Sequence, residues 1–107
     1  MDEFWAEVSI HLLSTEKGGR TMPLNLSNDN PGTYRPHFRV IGGSGEMLGV
    51  AFMDSPDDPI PPGGKTHATV KSLYEPAVSY SELTKGARFE ILEGSYVVGF
   101  GEVIRIG

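Results

Sequence analysis

Residues 86–107, GARFEILEGSYVVGFGEVIRIG, constrain the fold more than any other stretch. Two apolar-rich runs flank the turn-forming Glu93-Gly94-Ser95. In the first run Phe89 and Ile91 share one face, with Arg88, Glu90 and Leu92 on the other. In the second, Val98, Phe100, Ile104 and Ile106 share a face interrupted by Glu102. Period-two spacing about a short glycine-containing turn predicts a β-hairpin. Gly99 and Gly101 lie inside the second run. Glycines there mark a bulge, a sharp bend or a close backbone approach, as in a small closed barrel.

The chain ahead of this hairpin is punctuated in the same way. Ala6, Val8, Ile10 and Leu12 alternate with Glu7, Ser9 and His11 over residues 4–13, which reads as a half-buried strand. A polar loop with Gly18-Gly19 follows, and residues 25–33, NLSNDNPGT, are dense in turn formers. Strand character returns over 34–41, where Pro36 belongs at a strand start or on an edge because it has no N–H to give. Residues 47–53 and 66–74 are further strands, the latter with Ala68 and Val70 on one face. Residues 54–64, DSPDDPIPPGG, contain four prolines and must be loop. Residues 76–78 read as a short extended piece, and Ser81-Glu82-Leu83-Thr84 as one helical turn. About six strands with turn signals between them and no long helical pattern predict an all-β sandwich or barrel. Closure into a six-stranded antiparallel barrel would hide the edges of so small a sheet.

At 107 residues the chain is expected to be one domain spanning 1–107, with no room for another before a strand that opens at Phe4. The net charge of -5 argues against a strongly basic nucleic-acid module, though it leaves room for a local basic patch. The absence of cysteine excludes disulfides and thiolate metal sites. The acidic start, MDEFWAEVS, has no run of signal-peptide length, and no run reaches the roughly 18 apolar residues of a membrane span. A cytoplasmic protein without membrane contact is the expectation.

Motifs that would carry chemistry fail on context. Gly64-Lys65-Thr66 looks like the end of a phosphate-binding loop, but Pro59 stands where the first glycine belongs and a strand follows instead of a helix. Gly43, Gly45 and Gly49 lack the helix of a dinucleotide fingerprint. No nucleotide and no other cofactor is therefore expected. His11, His37 and His67 fall on polar strand faces and read as surface histidines, not metal ligands. Asp54, Asp57 and Asp58 depart from an EF-hand pattern and read as loop. Ser44 lacks a nucleophile elbow, and Ser9 and His11, two apart on one strand face, have no third orienting group. No catalytic residue is assigned. Trp5 reads as a core residue, with an interface anchor as the alternative. Arg20, Arg35, His37 and Arg39, interleaved with Tyr34 and Phe38, form the strongest local basic cluster. Guanidinium groups bind phosphate and aromatic faces stack on bases.

Four pieces in order resemble the C-terminal, third domain of translation elongation factor Tu. They are the opening strand with Gly18-Gly19-Arg20 and Pro23; Tyr34-Arg35-Pro36-His37-Phe38; the Pro62-Gly63 turn before the Thr66–Leu73 run; and Arg88–Gly94 with Val98-Gly99-Phe100-Gly101. The resemblance covers nearly the whole chain and implies a small antiparallel β-barrel. In that family the domain contacts the T stem of aminoacyl-tRNA and helps bind the nucleotide-exchange factor. The positions that resemble its tRNA contacts are Arg20, Thr21, His37, Glu93 and Gly94. The residues of the family's nucleotide-binding domain are absent from this sequence, so GTP hydrolysis is not implied. The leading expectation is a non-catalytic, translation-related module that docks on a protein partner. An RNA-binding, tRNA-like module using Arg20, Thr21, Tyr34, Arg35, His37, Arg39, Glu93 and Gly94 is the alternative. A small-ligand binder or enzyme with a pocket at the barrel mouth is the third reading.

Overall fold

The computed structural model describes residues 4–19, 24, 35–54 (backbone only at Asp54), 60–74 and 77–107. Each alternating run within them becomes a strand: β1 (Trp5–Leu12), β2 (His37–Val40), β3 (Leu48–Asp54), β4 (Lys65–Ser72), β5 (Arg88–Glu93) and β6 (Tyr96–Ile106). They close into a barrel in the order β1-β4-β3-β2-β5-β6, every pair antiparallel. The fold is the expected six-stranded antiparallel β-barrel, in which no named strand presents a free edge. Among the described residues no helix is long and apolar enough to cross a membrane.

Alternation fills the interior. Ala6, Val8, Ile10 and Leu12 of β1 are all buried, as are Ala68 and Val70 of β4. Phe38, Phe52 and Phe89 occupy the centre. Phe38 stacks on Phe89 with centroids 4.0 Å apart and meets Phe52 edge-on at 6.0 Å. Fully burying side chains of this size contributes about 1.5–3 kcal/mol each. Pro36 directly precedes β2, and its carbonyl accepts from the Val50 N–H at 3.1 Å, so the proline extends the ladder with the group it has.

Each end of the barrel has its own closure. At one, Leu24 and Ile60 form a two-way backbone bridge, 2.8 Å in each direction, and both are buried. At the other, Tyr80 and Leu83 fold in beneath Phe4, whose ring stacks on Tyr80 at 5.8 Å.

Five local expectations are corrected. In β6, Val98 is buried, but Phe100, Ile104 and Ile106 are exposed and Val103 faces the core. The cause is two bulges: Val98 is an extra residue against β5, and Ile104 against β1. The first bulge turns Phe100 outward and Val103 inward. The second returns Ile106 to the inward row of Ala6, where it is exposed because it lies at the open end of the barrel with Phe4 and Leu83. Leu92, paired with Val97 beside the first bulge, is buried as well. Trp5 is 37% exposed and not in the core. It shares the outward parity of Glu7 and Ser9, with the Arg105 guanidinium 5.8 Å from its ring centroid. Residues 81–84 form a turn closed by Leu83 N–H to Tyr80 C=O, not a helical turn, while a 3₁₀ turn forms at Thr15–Lys17 instead. Ala77 and Val78 turn rather than extend, with the Val78 N–H on the Tyr74 carbonyl.

Candidate functional site

The residues expected to bind a partner or RNA gather only in part. Arg20, Thr21 and Tyr34 lie outside the described residues, as do Asp57 and Asp58. Arg35 is exposed just before β2. His37 is half-buried in β2, paired with Gly49 on one side and Leu92 on the other. This pairing sets Arg35 and His37 beside Glu93, the last residue of β5, and Gly94, whose φ of 62° makes the β5–β6 turn. Arg39 lies further along β2 and is engaged: its Nε donates to Glu90 Oε1 at 2.8 Å.

A different group is assembled by barrel closure. Antiparallel register lines up His67 of β4, Ser9 of β1, Glu102 of β6 and Arg88 of β5 in one outward row. The next row runs Lys65, His11, Phe100, Glu90 and Arg39. Side chains directly opposed in such rows have Cβ atoms about 4.5–5.5 Å apart. Ser9 is small, and the wall dips there into an open depression of about 680 Å³, rimmed by His11, Lys65, His67, Arg88, Phe100 and Glu102. No sequence motif flagged this group as a whole. Its members appeared separately, as a serine–histidine pair, a surface histidine and the end of a failed phosphate loop. The joining information is the register between strands far apart in sequence.

The depression does not have the arrangement of a hydrolytic relay. Such a relay needs the imidazole between hydroxyl and carboxylate. Here Ser9 stands between His67 and Glu102 in the register, and among the described residues no side-chain hydrogen bond joins them. Among the described residues no three His, Asp or Glu side chains converge to hold a metal. Ser44 serves the fold: its N–H and hydroxyl both donate to the Glu82 carboxylate, at 2.9 and 3.2 Å, tying the β2–β3 turn to the 79–84 segment.

A second concavity lies at the Tyr80 end. It measures about 450 Å³ and is walled mainly by Phe4, Val78, Leu83 and Ile106. Ile106 pairs with Ala6, which puts the exposed Trp5 next to this rim. No family model matches the chain. What the fold and its surfaces define, among the described residues, is a filled β-barrel with a polar depression on its wall and an apolar depression at its end.

Proposed function

We propose that the chain is a non-catalytic interaction module that docks on a protein partner through the Tyr80 end of the barrel. The observation that carries this reading is the apolar depression beside Ile106 and Trp5, two large apolar side chains 42% and 37% exposed. Interfaces are anchored by such residues meeting shaped apolar pockets. The packed phenylalanine interior supports the same reading, since the barrel's centre is occupied by its own rings. The resemblance to the third domain of elongation factor Tu is consistent with it, because that barrel works by packing against other domains.

The RNA reading has less to stand on. Of its expected cations, Arg39 is engaged with Glu90, and the net charge of -5 opposes a polyanion. The test is affinity purification from native lysate with ribonuclease, using the wild type beside Ile106→Glu. A stoichiometric protein that survives ribonuclease and is lost with Ile106→Glu is the expected result. Equal recovery with the variant, or capture of RNA alone, overturns the docking surface.

A further inference from the structure

Much of the barrel's outer wall neutralises its own charge. Arg39 is joined to Glu90 at 2.8 Å, and Arg105 to Glu7. Between these pairs lies the depression across β4, β1, β6 and β5. Lys65 and Arg88 enter it without an acidic partner within ion-pair distance among the described residues, and His11 and His67 stand with Lys65 at one side. Glu102 is the one carboxylate in its lining.

We propose that this depression binds a phosphate ester carried on a flat ring, of which a nucleoside monophosphate is the simplest form. Lys65, His11 and His67 bring nitrogen donors from two adjacent strands to one side, which suits the several oxygens of a phosphate. Phe100, 39% exposed, follows next in the row after Lys65 and His11 and offers a ring surface for stacking. The Glu102 carboxylate, two residues along β6, accepts from hydroxyl or amino groups between phosphate and ring. Arg88 closes the far side. The volume of about 680 Å³ suits a ligand of this size.

Charge selects the monomer over the polymer. A long polyanion meets the whole chain's net charge of -5. A single phosphate responds mainly to charges within a Debye length of about 8 Å at physiological salt. The expectation of no nucleotide rested on glycine loops, whereas this site is built from strand faces and uses neither loop.

The experiment is an amide-resolved NMR titration of the whole chain with AMP, and separately with adenosine, inorganic phosphate and a short single-stranded RNA. Saturable AMP shifts are expected over Ser9–His11, Lys65–His67 and Phe100–Glu102, with weaker binding of phosphate or adenosine alone. Lys65→Gln, at an exposed position, should weaken AMP about tenfold while leaving the spectrum dispersed. Phe100→Ala should weaken AMP and leave phosphate unchanged. The proposal is overturned if AMP gives no saturable shift at millimolar concentration, or if Lys65→Gln binds AMP as the wild type does. Phosphate binding as tightly as AMP removes the ring from the site, and RNA binding more tightly than AMP replaces the monomer with a polymer.

Discussion

The hydroxyl of Tyr80 donates to the carbonyl of Gly49 at 2.5 Å, linking the closing segment of the barrel to the second residue of β3. The same oxygen accepts from the Leu73 and Tyr74 N–H groups, each at 3.3 Å. One buried hydroxyl thus uses its donor and both acceptor sites to hold the end of β4, β3 and the 79–84 segment together. Tyr80→Phe keeps the ring stacked on Phe4 but deprives these backbone groups of a partner. Leu73 still reaches the Gly49 carbonyl at 3.2 Å, which limits the damage. A loss of about 1–2 kcal/mol is expected, read as a lower urea midpoint with an unchanged slope.

Gly101 is fixed by what surrounds it. A Cβ there would lie 2.5 Å from Phe89 Cζ and 2.6 Å from the Ser9 carbonyl oxygen. The ring cannot retreat freely, because Phe89 is fully buried and stacked on Phe38. Gly101→Ala should therefore cost about 1–3 kcal/mol through overpacking. Thermal unfolding should report a drop of several degrees, at roughly 4–8 °C per kcal/mol for a domain near this size. Adding Phe89→Leu should recover part of the loss if the aromatic ring is the obstacle. No recovery would place the strain on the Ser9 backbone instead.

Arg39 and Glu90 form a cross-strand ion pair whose side chains are 36% and 26% exposed. Solvent screens such a pair, so its coupling should stay below about 1 kcal/mol. A double-mutant cycle with Arg39→Met and Glu90→Gln, measured at low and high salt, checks this. Coupling that shrinks as salt rises supports a screened surface pair; a larger, salt-independent value contradicts it.

The fold was legible because its main signal is local. Ala6, Val8, Ile10 and Leu12 declare the core face of β1 within their own eight-residue strand, and Gly99 and Gly101 mark where β6 crosses close to its neighbours. The outward turn of Phe100 and Ile104 was not legible. Bulges at Val98 and Ile104 depend on how β6 is paired on two sides, and composition does not encode that pairing. The same limit hid the wall depression, since Lys65, His11, Phe100 and Arg88 come from four strands brought side by side only by closure. Trp5 illustrates the converse: its parity with Glu7 and Ser9 was visible in the sequence, and the general preference of tryptophan for cores pointed the other way.

Ile106 separates stability from docking. It ends β6 opposite Ala6 at the rim of the barrel and is 42% exposed, so a charged replacement there is expected to cost about 1 kcal/mol and leave the chain folded. Val103, 1% exposed, is the contrasting position on the same strand, where Val103→Ala removes buried methyl groups and should cost about 1–3 kcal/mol. If the end of the barrel is a docking surface, Ile106→Glu should abolish partner recovery while lowering the unfolding midpoint only slightly. Val103→Ala should instead lower the midpoint and leave recovery intact below it. Urea denaturation run beside the purification distinguishes the two effects. An Ile106→Glu chain that loses its partner only in proportion to lost stability would mean that this side chain supports the fold rather than the interface.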